Sequence, residues 1–323
     1  MRVAALLGHI GIEALVTPTL KRLGYDFDIF TYGVRYRDFE SEWLLRIAQP
    51  HNIKDEDESR VLIKLNDFIG LDHNKYDAFF VDMHDFVWGA LLSTGKRVVA
   101  YPCIMPHQWQ KNQVEYWKHL RLHERSFRYI VNDTSYLAGF RKIYPEMNYW
   151  LIENAIDPDM EMHTGVKDNI LTVLGAAKSR VSSAGISWDA FKGITSGLPH
   201  TIVGPMNEAV GGGCVSKEEL LALYRDSRVC LNVFGNNVTI GLLEILMSGI
   251  PLVTVPAGQA ASYLTNGVNA IMSSDVGYLK QKLKELYNNN DLALQIGKAG
   301  RKVALKHFNL LDKVLIWKEM LED

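Results

Sequence analysis

The sequence predicts an α/β fold made of two doubly wound, Rossmann-like domains with parallel sheets. Its 323 residues exceed what one hydrophobic core normally holds, and two domains of about 150 residues are the usual solution. In both halves, apolar runs of strand length alternate with longer segments of helix length, a pattern typical of βαβ units. The composition, with 47% hydrophobic and 22% charged residues, is that of an ordinary globular protein.

The first half of the chain contains strand-like runs that are bounded by polar or helix-like sequence. These runs lie at residues 2–7, 26–31, 78–82, 98–101 and 129–132. Residues 12–23 have apolar side chains at helical spacing and predict the first helix. Because strands separated by helix-length segments pair in parallel, the runs predict one parallel sheet. We expect an N-terminal domain over residues 1–153.

The same pattern begins again after Asp157. Strand-like runs lie at 169–174, 200–203, 229–233 and 251–255, and helix-like runs at 217–224, 239–248 and 276–288. They predict a second doubly wound domain over residues 154–308, with 152–166 as the linker and a cleft between the two domains. Residues 309–323 have Val314, Trp317 and Leu321 at helical spacing, and we expect this last helix to cross back to the N-terminal domain.

The composition argues against a membrane-spanning, disulfide-rich or zinc-binding protein. The most apolar stretch, residues 240–255, contains Glu244 and Pro251 and falls short of the roughly 18 apolar residues that a span needs. The three cysteines are far apart and have no metal-ligand spacing. The net charge of -2 gives no overall attraction for nucleic acid. We expect a cytoplasmic protein with no integral membrane segment, and peripheral attachment to a membrane stays open.

The run of residues 231–255 predicts a phosphate site. It orders a buried strand, a Gly/Asn-rich loop, a helix that begins near Thr239 and a second buried strand. A loop at the carboxyl end of a parallel strand that feeds a helix directs backbone N–H groups and the positive dipole end to one point, which suits a diphosphate. Gly241 leaves room for a ligand close to the backbone.

Glu244 lies in the second turn of the same predicted helix. Its carboxylate can accept paired hydrogen bonds from the two hydroxyls of a ribose. Most isolated helical glutamates instead lie on a solvated face or favour a helix N-terminus electrostatically. From the residue alone, both interpretations stay open.

Segments at separate places carry a resemblance to a known family. They are Asn154-Ala155-Ile156-Asp157, Val203-Gly204-Pro205, Glu244 with Ser248-Gly249-Ile250-Pro251, and Gly267-Val268-Asn269-Ala270. In this order they resemble the retaining family 4 glycosyltransferases over most of the chain. The resemblance implies the GT-B fold and a Leloir-type hexosyltransferase. It also implies that a UDP- or GDP-sugar is the donor substrate and that no cofactor is required.

The resemblance also assigns roles on the donor side. It implies that Val215 lies in a loop that contacts the base, and that Thr239, Ile240, Gly241 and Glu244 bind the donor. Asn236 stands where the family has the first of two glutamates, so the resemblance implies that it contacts the donor sugar as a catalytic residue. An amide carries no charge to stabilise an oxocarbenium ion, so retention and inversion both stay open.

Two basic residues follow the first strand of the predicted second domain. Lys178 and Arg180 stand, with altered spacing, where the family has an Arg and a Lys that neutralise the leaving diphosphate. An exposed basic loop is the alternative.

On the acceptor side, Gly8, His9 and Gly11 form only half of a dinucleotide-binding fingerprint, because a third glycine is missing. The resemblance implies that they form an acceptor and sugar loop, and we expect all three to take part in donor binding. His84 and Asp85 follow the strand at 78–82 and resemble the family's x-His-x-His-Asp-aromatic motif, which implies catalytic roles.

The acceptor and the metal requirement are further predictions. A glycan, lipid or small-molecule hydroxyl is expected as acceptor, but residues 107–145 mix basic and aromatic side chains. A solvated basic helix with aromatic residues turned to the core explains that mixture, and a surface for nucleic acid or anionic lipid is the alternative. The Asp-x-Asp pairs at 26–28 and 157–159 lie in a strand pattern and a linker, so we expect no required metal.

Other functions stay open. The first is a phage-type DNA glycosyltransferase that acts on hydroxymethylated bases. The second is a non-catalytic nucleotide-sugar binding protein, and the third is a nucleotide-sugar epimerase. A dinucleotide oxidoreductase is disfavoured by the incomplete glycine fingerprint.

Overall fold

The computed structural model describes residues 1–7, 10–32, 60–82, 85–101, 111–204, 206–234, 238–256 and 259–323. The chain divides into two compact units. Unit 1 contains the described residues before Asn154 together with Leu311–Asp323, and unit 2 contains Asn154–Leu310.

Unit 1 is built on a sheet in which seven described strands run parallel. Along the sheet their order is β3-β2-β1-β4-β5-β6-β7. The strands are β1 (Arg2–Leu6), β2 (Asp26–Tyr32), β3 (Arg60–Ile63), β4 (Ala78–Val81), β5 (Arg97–Ala100), β6 (Phe127–Val131) and β7 (Tyr149–Leu151). Central strands such as β4 and β6 are buried along their whole length. This burial is typical of parallel sheets, because helices cover both of their faces.

Helices of unit 1 connect these parallel strands. They are α1 (Ile10–Arg22), α2 (Leu65–Ile69), α3 (Asp85–Leu92), α4 (Lys111–His119) and α5 (Thr134–Ile143). Aromatic side chains fill the core, and Trp88 contacts Phe127 and Tyr129 with ring centroids 5.8 and 6.0 Å away. Helix α3 lies close to Leu120, the residue that follows α4, because a Cβ at Gly89 would come 2.5 Å from the Leu120 side chain.

Unit 2 has a smaller sheet, in which five described strands run parallel in the order β12-β11-β10-β8-β9. The strands are β8 (Lys167–Val173), β9 (His200–Val203), β10 (Ser227–Leu231), β11 (Leu252–Thr254) and β12 (Ile271–Met272). The helices are α6 (Ala177–Ser183), α7 (Trp188–Ile194), α8 (Lys217–Asp226), α9 (Ile240–Ser248), α10 (Val276–Asn288) and α11 (Asn290–His307). Two parallel-sheet α/β units confirm the predicted fold class.

The last helix, α12 (Leu310–Glu322), begins at the end of unit 2 and packs on unit 1 for most of its length. Trp317 is fully buried and stacks on Phe80 of β4 at 5.7 Å. Arg97 donates hydrogen bonds to the last carbonyls of the helix, a favourable pairing of a cation with the negative dipole end. No helix within the described ranges is long and apolar enough to cross a membrane.

The segment at 152–166, which the sequence predicts as the linker, packs closely on neighbouring parts of the chain. It contains no helix or strand, but Ile152, Ala155 and His163 are buried. Its backbone is hydrogen-bonded to unit 2: Ile156 N–H donates to the Phe308 carbonyl at 2.8 Å, and His163 N–H to that of Ser248 at 2.8 Å. The absence of periodicity therefore reflects a packed irregular segment.

Candidate functional site

In unit 2, β8 and β10 form the topological switch point of the sheet. The chain proceeds from β8 to β9 on one side of this pair and from β10 to β11 and β12 on the other. In open parallel sheets, ligands bind outside the carboxyl ends of the strands at such a point. Asn232 joins the two strand ends, because its Nδ2 donates to the Val173 carbonyl at 2.9 Å.

Helix α9 begins just after this point. Thr239 is its N-cap, with extended backbone, and its hydroxyl accepts a hydrogen bond from Leu242 N–H at 3.2 Å. The preceding Val238 carbonyl accepts a hydrogen bond from Asn154 Nδ2 at 2.8 Å. The Asn-Ala-Ile-Asp segment at 154–157 therefore helps to position the start of α9, a contact that the sequence did not predict.

One side of α9 is less buried than the rest of the helix. Ile240, Gly241 and Glu244 keep intermediate exposure, while the other residues of the helix are buried. They share one face because residues three and four apart are neighbours on a helix. A Cβ at Gly241 would meet no described atom within 4 Å. Three of the predicted donor-binding residues therefore lie together beside an open space.

Glu244 is held by a buried tyrosine. Tyr224 of α8 donates its phenolic hydrogen to Glu244 Oε2 at 3.2 Å. Burial, followed by the negative charge of Glu244, raises the pKa of Tyr224 well above its usual value. Tyr224 therefore stays a neutral donor. Val215 lies just before Ser216, the N-cap of α8, and packs against the same core cluster as Tyr224.

The loop after β8 is fixed by Asn207, which sequence reasoning missed. This side chain is fully buried, accepts from Ala177 N–H at 2.8 Å and donates to the carbonyls of Leu174 at 2.6 Å and Gly204 at 3.1 Å. Ala176 in that loop has φ 48° and ψ 48°, a left-handed conformation that non-glycine residues rarely adopt. A polar residue two positions after Gly204-Pro205 was the available sequence signal.

Lys178 and Arg180 lie on α6, directly after this loop, and both are exposed. They are thus close in sequence to the carboxyl end of β8. Asn236 lies outside the described residues.

Unit 1 has its own switch point between β1 and β4. Asp85 begins α3 just beyond the carboxyl end of β4, and both of its oxygens are occupied: Trp117 Nε1 donates to Oδ2 at 2.9 Å and Phe86 N–H to Oδ1 at 3.0 Å. Gly11 is in the first turn of α1, which follows β1. Gly8, His9 and His84 lie outside the described residues. Trp117 is a second residue that sequence reasoning missed.

Most described aromatic residues of the basic-aromatic region belong to the core. Trp117, Phe127 and Tyr129 are buried, and so is Arg128 at 3% exposure. Tyr116 is exposed. Two of the nearby surface cations are paired, Lys118 with Glu115 at 3.0 Å and Arg121 with Glu124. This arrangement agrees with the core interpretation rather than a dedicated polyanion surface.

The Asp-x-Asp pairs have local partners. Asp28 accepts from Arg2 and from the Tyr76 hydroxyl, each at 2.8 Å, and Asp157 accepts from Asp159 N–H at 3.0 Å. Among the described residues, no group of three or more His, Cys, Asp or Glu side chains could hold a metal ion.

The fold and site together define the class: two parallel α/β units, the second with a helix start at its switch point, have the architecture of GT-B glycosyltransferases. Residues 171–314 match the family model described as glycosyl transferase-like. This match covers the strands and helices that carry the unit 2 site.

Solved glycosyltransferase structures are similar over nearly the whole chain. The similarity to sucrose-phosphate synthase from Thermosynechococcus elongatus has a TM-score of 0.65 at 12% identity, covering 99% of this chain and 98% of that chain. Anabaena HepE in complex with UDP and glucose gives 0.63 at 13%, covering 99% of both chains. A glycosyltransferase from Rickettsia africae gives 0.64 at 12%, covering 100% and 99%.

No curated protein matches the chain in sequence. The family model and the structures confirm the resemblance to GT-B glycosyltransferases. At these identities the structures establish the fold, and membership of the retaining family 4 stays a prediction.

Proposed function

We propose that the protein is a glycosyltransferase that moves a hexose from a UDP- or GDP-sugar to an acceptor hydroxyl. The observation that carries this proposal is the exposed side of α9, where Ile240, Gly241 and Glu244 lie together just outside the sheet's switch point. A helix N-terminus there offers unpaired N–H groups to a diphosphate. Glu244, one turn further, is at a suitable depth for the ribose hydroxyls.

The donor's phosphates require positive charge when the nucleoside diphosphate leaves. Lys178 and Arg180 are proposed to supply it, since they are exposed on the helix that follows β8. Two cations and the dipole of α9 offset the developing charge without a divalent ion. Asn236 is proposed to contact the sugar through its amide, and Val215 to contact the base.

We propose that unit 1 binds the acceptor. Asp85 is held by two hydrogen bonds, which suits a carboxylate that orients a hydroxyl or a neighbouring His84 better than one that must swing freely. Gly8, His9 and Gly11, which follow β1 in the sequence, are proposed to contribute to the same site. A glycan, lipid or small-molecule hydroxyl is the proposed acceptor class, and HepE in complex with UDP and glucose makes UDP-glucose the first donor to test.

The test is transfer or hydrolysis with a panel of UDP-, GDP- and ADP-sugars. Released nucleoside diphosphate is measured with and without glycan, lipid and hydroxymethylated DNA acceptors. Turnover of one donor class supports the proposal. Tight donor binding without any release would instead identify a non-catalytic binding protein, which the uncharged Asn236 would explain.

The first prediction concerns Glu244→Ala. Loss of paired, charge-assisted hydrogen bonds should lower kcat/KM for the donor by about 100-fold. Glu285→Ala is the control, since Glu285 lies on α10 and pairs with Lys282 at 2.8 Å. Equal donor kinetics in the two variants would contradict the assignment of Glu244.

A further inference from the structure

We propose that Tyr224 is a positioning residue for ribose recognition, acting through its hydrogen bond to Glu244. The inference rests on the proposed function, since it assumes that Glu244 binds the donor's ribose. It adds a residue that makes no contact with the donor.

The first argument is the burial of the phenol. Tyr224 is 1% exposed, in a core cluster that includes Phe234, Val238 and Leu242. A hydroxyl removed from water costs free energy unless it finds a partner, and a phenylalanine would fill the same space without that requirement. The Glu244 carboxylate, at 3.2 Å, is that partner.

The second argument is the direction of the bond. Burial and the charge of Glu244 raise the pKa of Tyr224, so the tyrosine stays protonated and donates to the carboxylate. A hydrogen bond that holds a glutamate side chain before binding removes part of the entropy cost of ligand recognition. A carboxylate has about four lone-pair sites, so one carboxylate can accept from a tyrosine and from ribose hydroxyls.

The third argument is the helix that carries Tyr224. Helix α8 starts with a capping box, in which Glu219 N–H donates to Ser216 Oγ at 3.1 Å and Ser216 N–H donates to Glu219 Oε2 at 2.9 Å. Val215 immediately precedes this cap. The same helix therefore fixes the proposed base contact at its start and the proposed ribose contact near its end.

The experiment compares ribose with dideoxyribose. Affinities of UDP, GDP and ADP and of their 2′,3′-dideoxy forms are measured by calorimetry for the wild-type protein, Tyr224→Phe, Glu244→Gln and Tyr278→Phe. The wild-type protein should prefer its ribose nucleotide by at least about tenfold. Tyr224→Phe should lose most of that preference while binding the dideoxy form as the wild type does. Tyr278, whose hydroxyl lies 3.4 Å from Asn266 Nδ2, is the matched control and should keep the preference.

The outcomes separate the two proposals. If the wild-type protein binds none of the three nucleoside diphosphates, the proposed function fails. If Glu244→Gln loses the ribose preference and Tyr224→Phe keeps it, the positioning role of Tyr224 is wrong while the function stands. A loss in Tyr224→Phe that is equal for ribose and dideoxy forms also overturns it, because it indicates a general structural effect.

A second measurement tests the same proposal if the Tyr224→Phe variant does not fold. Fluorotyrosine placed at position 224 keeps the shape of the side chain and gives a ¹⁹F signal. That signal should shift on addition of the ribose nucleotide and stay unchanged with the dideoxy form. The same shift with both forms would contradict the proposal.

Discussion

His200 in β9 is a half-buried histidine whose ring nitrogens lie between two hydroxyls. Nε2 is 2.9 Å from Thr172 Oγ1 and Nδ1 is 3.1 Å from Thr195 Oγ1. Burial lowers the pKa of His200 from 6.5 to about 4. Between these two values the unfolded chain binds more protons than the folded one, so the free energy of unfolding falls as the pH falls.

The resulting prediction is a pH-dependent stability that depends on His200. The stabilisation that depends on neutral His200 is complete above pH 6.5 and is lost as the pH falls towards 4. Between pH 7.5 and pH 5 the free energy of unfolding falls by about 2 kcal/mol for this reason. The free energy of unfolding is measured with urea at pH 7.5 and at pH 5. The decrease between the two pH values should be about 2 kcal/mol smaller in the His200→Asn variant than in the wild-type protein. His119→Asn, at an exposed site, is the control and should keep the wild-type difference.

At the scale of elements, local pattern predicted the bounds of one helix and one short strand. Strand β9 and helix α10 have the predicted bounds of 200–203 and 276–288, because apolar spacing and turn residues define both locally. The strands β3, β7 and β12 were not predicted; they have four, three and two residues, and such short runs carry little periodicity. Asn207 was missed for a different reason: its partners Leu174 and Ala177 are about 30 residues away.

The loop between β8 and α6 depends on that distant side chain. Asn207→Ala would leave the Ala177 N–H and the Leu174 carbonyl without their partner in a buried place, at about 1 to 3 kcal/mol for each group. The free energy of unfolding should therefore fall by about 3 kcal/mol, measured by denaturant titration. Asn74→Ala, at an exposed turn of unit 1, should change it by less than about 0.5 kcal/mol. If Asn207→Ala lowered the free energy of unfolding as little as Asn74→Ala, the loop would not depend on the Asn207 side chain.

At the scale of the whole molecule, each unit has described site residues that follow the strands at the switch point of its sheet. Both sheets are parallel, and each has a switch point where two neighbouring strands end. Gly11 and Asp85 follow the strands of one such point, and Thr239 and Lys178 those of the other. Sequence order alone predicted which loops carry polar residues. It could not predict Trp117 and Tyr224 as partners of Asp85 and Glu244, because those contacts form only when helices pack.

The C-terminal helix provides the last prediction. Trp317 of α12 is fully buried against Phe80, whereas Leu315 on the same helix is 74% exposed. Trp317→Ala removes a large side chain from the unit 1 core and should cost about 3 to 5 kcal/mol. Hydrogen exchange should become faster in the unit 1 strand β4, while the unit 2 strand β11 keeps its protection, because α12 packs on unit 1. Leu315→Ala should leave both strands as in the wild-type protein. Faster exchange in β11 to the same extent as in β4 would mean that the two units unfold as one.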